Sequence, residues 1–83
     1  MKVLNYNIIL RPEPEGGFTV FVPSLQGCIT YGKDIAEATF MAEDAIKGYI
    51  TVLKKHGEPV PNDDGNLVTS IHIQQKTKKR VYA

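Results

Sequence analysis

The chain has no tryptophan, one cysteine and two histidines. With Cys28 alone no internal disulfide can form, and His56 and His72 add too few donors for a zinc site. No metal and no cofactor are expected. Long apolar runs are also missing. Behind Lys2 the N-terminus alternates apolar and polar residues, unlike a signal peptide or a spanning helix. A reducing cytoplasm is the expected location. Eighty-three residues with 42% hydrophobic content suit one small core. A chain this short buries only about 60% of the surface its unfolded form exposes, so association is a natural source of added stability.

Charge is scarce in net terms, +1 over the whole chain, but it is unevenly placed. Residues 1–75 carry six Lys or Arg against nine acids, leaving −3, and Lys76, Lys78, Lys79 and Arg80 then add +4. The expected organisation is an acidic domain over 1–75 and a basic tail over 76–83. An acidic body favours a basic partner, such as a protein that itself handles nucleic acid, while the tail is the one place for direct phosphate contact. Terminal charge runs are more often simply solvated.

Val3–Leu10 alternates loosely and ends in three apolar residues, the pattern of a first strand. Pro12, Pro14, Gly16 and Gly17 turn the chain back. Phe18–Val22, all aromatic or β-branched, form a second strand with Phe18, Val20 and Val22 on one face and Thr19 and Phe21 on the other. Pro23 ends it, and Leu25 tucks into the core while Ser24 and Gln26 stay wet. Cys28–Tyr31 make a short third strand between turns at Gly27 and Gly32. Asp34 caps a helix over 35–55, with Glu37 placed to complete a capping box and Gly57 and Pro59 to stop it. Ile35, Ala38, Ala42, Ala45, Ile46, Tyr49, Ile50 and Leu53 gather into its buried stripe. Gly48 falls outside that stripe. A loop over 56–66 leads to a last alternating strand, Leu67–Ile73.

The fold class is therefore α+β: a three-stranded antiparallel sheet, one long helix on one face, and a fourth strand after the helix (β-β-β-α-β). The uncovered face, with Thr19, Phe21 and Tyr31, is expected to pair copies into a homodimer or higher homo-oligomer.

Catalytic groups are hard to assemble. Neither Ser24 nor Cys28 has a histidine near it in sequence, and a buried structural thiol is the plainer reading of Cys28. A two-metal nuclease needs converging carboxylates on strands, and the expected strands contain none. Gly32-Lys33-Asp34 is too short for a phosphate loop. No enzyme is expected. Phe40 lies about 140° round the helix from Ile35, among Glu43, Asp44, Lys47 and Thr51. A lone exposed aromatic needs no function. Beside Met41, with Glu37 and Asp44 on the same side, it also suits a partner-binding surface.

The ordered set Val22-Pro23, Leu25, Gly27-Cys28, Thr30, Gly32, Glu37-Ala38, Ala42 and Ala45-Ile46 resembles the HicB-like antitoxin family. Strand Phe18–Val22 and the loop residues Gly57, Pro59 and Pro61 extend the resemblance over most of the domain. It implies a partial ribonuclease H-like fold without nuclease activity. It also implies dimers or larger assemblies and a small HicA-type toxin partner that cleaves messenger RNA. This chain departs at Ser24, where the family often has an acid, at Gln26, where it often has proline, and at Thr39, Phe40 and Met41. Many members carry a C-terminal DNA-binding domain for which these residues leave no room, so operator binding is not expected, with Lys76, Lys78, Lys79 and Arg80 as the only substitute. The alternative is a stand-alone homo-oligomeric scaffold or small-ligand-binding domain with no toxin.

Overall fold

The computed structural model describes residues 3–76. Three strands, β1 (Ile9–Pro12), β2 (Phe18–Phe21) and β3 (Ile29–Gly32), precede one helix, α1 (Ile35–Lys55). The sheet is antiparallel in the order β1-β2-β3, with Ile9 opposite Phe21 and Phe21 opposite Ile29.

Each element forms for a local reason. Glu13 and Gly17 close the first turn through a 3.0 Å backbone bond from Glu13 N to Gly17 O. Gly16 and Gly17 supply its positive φ values of 107° and 80°. Helix α1 starts at Asp34, whose Oδ1 accepts from Glu37 N at 2.8 Å, while Glu37 Oε1 accepts from Lys33 N at 2.7 Å. That is the expected capping box, its return bond taken one residue ahead of the cap. The helix ends in a left-handed Gly57 (φ 67°), with Glu58 N reaching back to Leu53 O at 2.9 Å.

The core lies between sheet and helix in two adjoining clusters. Val20, Ala38 and Ala42 are buried with Ile8, Leu10 and Phe18 around them. Val22, Leu25 and Cys28 are buried against Tyr6, Ile8, Ala45, Ile46, Tyr49 and Leu53. Leu25, 1% exposed, contributes about 1.5–3 kcal/mol by its burial.

Three expectations need correction. The first strand does not begin at Val3: pairing starts at Ile9, because β2 ends opposite it at Phe21 and leaves residues 3–8 without a strand neighbour. Ile35 leaves the buried stripe and is mostly exposed, since it is the first residue of α1 and burial begins one turn later at Ala38. The fourth strand is absent from the described residues. Residues 67–73 form no ladder, and Leu67, Val68, Ile71 and Ile73 are largely exposed. Alternation gives a segment a face, but a strand also needs a neighbouring edge, and this stretch has none beside it.

Candidate functional site

Pro23–Cys28 is a compact turn locked by its own backbone. Leu25 N donates to Val22 O at 3.0 Å, Cys28 N to Leu25 O at 2.9 Å, and Val22 N to Cys28 O at 3.1 Å. Gly27 takes φ 79°. The turn drives Leu25 inward, and the Tyr49 hydroxyl ties it to the helix by donating to Gln26 O at 2.8 Å. Gly32 lies directly against the backbone of Ala38, so a Cβ there would collide with the first turns of α1. The motif residues thus fix how the helix sits on the sheet and supply no reactive group. Cys28 is buried, and burial pushes its thiol above the ordinary value. A thiol of that kind is a poor nucleophile.

The loop after α1 holds a polar knot that sequence reasoning missed. Asp63, 7% exposed, is the one charged side chain buried among the described residues. Its carboxylate accepts from Ser24 Oγ, from Asn7 N at 2.9 Å and from Asn66 Nδ2 at 3.2 Å, and its own N–H donates to Asn5 O at 2.9 Å. Ser24 first, then the Asn7 amide, hold the Asp63 carboxyl below its ordinary value. Asn62 accepts from Asn5 N at 3.2 Å and Tyr6 donates to Pro61 O at 2.5 Å. Ser24 is therefore half-buried and committed to Asp63 rather than wet. An acid at position 24 would face Asp63 with like charge. The only sequence signal was the cluster Asn62-Asp63-Asp64, which reads as an ordinary turn.

Two surfaces remain for recognition. On the outer side of α1, Phe40 is 67% exposed, with Glu37 and Asp44 one turn to either side and Met41 half-buried beside it. The acids there are not equivalent. Glu37 is spent in part on the capping box, Glu43 pairs with Lys47 at 3.0 Å, and Asp44 has no ion pair among the described residues. The second surface is the sheet face away from the helix. Register places Ile9, Phe21 and Ile29 in one row and Arg11, Thr19 and Tyr31 in the next. Thr19, Phe21 and Tyr31 do share this face as expected, but it is partly dressed. Arg11 lies 4.9 Å over the Phe21 ring, Thr19 donates to Glu13 at 2.5 Å, and Tyr31 donates to Gly16 O at 2.9 Å. The Thr19 hydroxyl and then Arg11 lower the Glu13 pKa from its ordinary value. Ile9 and Ile29, which the sequence reading left out, are its most exposed apolar members, each at least half exposed. Of the basic residues, Lys76 is exposed, and Lys78, Lys79 and Arg80 lie outside the described residues. No helix is long and apolar enough among the described residues to cross a membrane.

Known proteins resemble this chain in sequence. The family described as the HicB_like antitoxin of bacterial toxin-antitoxin system matches residues 6–82. A UPF0150 protein of Thermoplasma acidophilum is 39% identical over 66 residues, which cover 80% of this chain and 96% of that protein. A UPF0150 protein of Synechocystis is 36% identical over 63 residues, covering 76% and 80%. One from Archaeoglobus fulgidus is 31% identical over 74 residues, covering 89% and 99%. The match takes in the Pro23–Cys28 turn, the whole of α1 and the loop that carries Asp63, so the chain belongs to the HicB-like antitoxin family.

Proposed function

We propose that this protein is the antitoxin of a toxin–antitoxin pair and neutralises a small HicA-type toxin that cleaves messenger RNA, by forming a complex with it in the cytoplasm. The observation that carries the reading is family membership. The outer face of α1 gives it a physical site. Phe40 is the anchor, Met41 extends the apolar contact, and Asp44 with Glu37 draws a basic, RNA-binding partner toward it. The −3 balance of residues 1–75 acts in the same direction at longer range. The protein works as a binding module and not as an enzyme. Neutralisation then amounts to covering the toxin's RNA-binding surface.

The row Ile9, Phe21 and Ile29, with Thr19 and Tyr31 beside it, supports association of copies through the open sheet face. The basic tail from Lys76 to Arg80 is the remaining candidate for nucleic-acid contact. Co-expression with the product of the adjacent gene tests the proposal. The neighbour should arrest growth when expressed alone, and co-expression should restore growth and yield a co-purifying complex. A neighbour that neither binds nor arrests growth refutes it and leaves the stand-alone homo-oligomer as the better reading.

A further inference from the structure

Residues 67–73 are the most exposed apolar stretch among the described residues: Leu67 is 94% exposed, Ile71 81% and Ile73 76%. In an extended conformation Leu67, Thr69, Ile71 and Ile73 share one face and Val68, Ser70 and His72 the other, the composition of a half-buried strand. The stretch projects away from the body. The described chain has a radius of gyration of 17.6 Å and extends 58 × 29 × 22 Å, whereas a compact chain of this length has a radius of gyration of about 12 Å.

The body has a complementary vacancy in its architecture. Strand β1 is at the sheet edge, paired among the described residues with β2 alone. Beside it a groove of about 440 Å³ opens between Leu4, Tyr6 and Ile8 on one side and Ala42, Ile46 and Ile50 of α1 on the other, with Thr39, Glu43 and Lys47 completing its lining. Thr39 to Ile50 spans about 17 Å of helix, and residues 67–73 in strand form span about 20 Å. The groove therefore matches the segment in length, and its mainly apolar walls match the segment's apolar face.

The tether decides whose segment fills it. Asp63 is fastened to Asn5 and Asn7, which alternate along the chain with the lining residues Leu4, Tyr6 and Ile8, so the segment starts from the same stretch that forms one wall of the groove. There Asn66 N closes a turn onto Asp63 O at 2.8 Å and Gly65 takes φ 85°, and residues 67–73 beyond the turn pair with no strand of their own chain and stay exposed. We infer that two copies exchange this segment: residues 67–73 of one chain add as a fourth strand on the β1 edge of the other, with Leu67, Ile71 and Ile73 turned into its groove. The exchange is reciprocal, so the dimer closes. It covers two exposed apolar features with each other and completes in the dimer the four-stranded sheet that one chain does not form. This inference does not depend on a toxin, the open sheet face stays free, and Phe40 borders the groove without lining it.

Cross-linking in the full-length protein tests it. In a Cys28→Ser background, Ile50→Cys is combined in turn with Leu67→Cys, Ile71→Cys and Ile73→Cys, and each protein is mildly oxidised. At least one pair should give a covalent dimer on a non-reducing gel, with peptide mapping showing the bond between position 50 and the segment. A cross-linked monomer means that the segment folds onto its own groove, and no cross-link at any position means that it does not enter the groove; either result overturns the inference. A second variant replaces Leu67, Ile71 and Ile73 with serine. All three lie outside the core, so the helical circular dichroism should persist while light scattering shows dimer affinity reduced at least tenfold. An unchanged dimer points to association through the open sheet face and refutes the exchange.

Discussion

Gly32→Ala tests how closely the helix lies on the sheet. A Cβ at position 32 points at the backbone N and Cα of Ala38 and would sit 2.8 Å from its Cβ. Backbone inside the first turns of a capped helix cannot step aside as a long side chain can, so α1 must lift. Lifting opens the contact among Val20, Ala38 and Ala42, all three buried. Overpacking of this kind costs about 1–3 kcal/mol, and a collision with fixed backbone belongs at the upper end or beyond. A domain of about 80 residues loses about 4–8 °C of melting temperature per kcal/mol, so a fall of about 12 °C or more is expected. Gly48→Ala is the matched control. Nothing lies within 4 Å of a Cβ at position 48, and alanine in a helix interior is favoured over glycine by about 0.5–1 kcal/mol. Thermal denaturation followed at 222 nm should move in opposite directions for the two variants. A Gly32→Ala protein melting within 2 °C of wild type would refute the close approach, and with it the account of why the motif needs glycine there.

Three further outcomes follow from the same structure. Phe40→Ala should weaken the toxin complex by at least about 1 kcal/mol, roughly fivefold in Kd by calorimetry, with the melting temperature unchanged; lost stability with intact binding would make Phe40 a structural residue. Asp63 carries a lowered pKa, so the unfolded chain takes up its proton first: the stability it supplies is complete above the ordinary value of 3.8 and is lost as pH falls through the native value. Acid melting of wild type should therefore steepen below about pH 4, and Asp63→Asn, less stable at neutral pH, should lack that part of the slope; an identical slope would remove Asp63 from the account. Cys28 should react with a thiol reagent far more slowly in the native protein than in urea, and equal rates would contradict its burial.

The sequence made legible whatever depends on neighbours along the chain. Helix α1 has the bounds that its caps and its spacing dictate, because Asp34, Glu37 and Gly57 act within a few residues of themselves. Strands β2 and β3 were equally readable, since β-branched and aromatic residues cluster there between turn formers. What failed depends on distant partners. The start of β1 is set by where β2 ends, and Asp63 is buried only because Ser24, 39 positions earlier, and Asn7, 56 positions earlier, meet it. No local pattern separates such an aspartate from its neighbour Asp64, which stays exposed. Phe40 was visible as an aromatic off the buried stripe. Ile9 and Ile29 were not, because register with Phe21 is what makes them one row.

These failures and the proposed function have a common cause. One helix can cover only one face of a three-stranded sheet, so a chain of this size leaves its other face, its edge strands and any later apolar segment for other molecules to cover. The protein meets this unevenly. On the open face Arg11 covers Phe21 and Glu13 holds the Thr19 hydroxyl, while Tyr31 is tied to Gly16, which limits indiscriminate sticking. On the helix, Phe40 stands unscreened between acids, an arrangement suited to a basic partner and unfavourable to a second acidic body of the same kind. Beside the β1 edge the groove is lined mainly by apolar residues, with the Glu43–Lys47 pair among them, and farther along the same chain lies an apolar segment of its length. A surface fitted by the chain's own sequence favours copies of itself, whereas a surface fitted by opposite charge favours another protein. On that division the two surfaces differ in chemistry although they adjoin, since Glu43 and Lys47 line the groove and also flank Phe40 on α1.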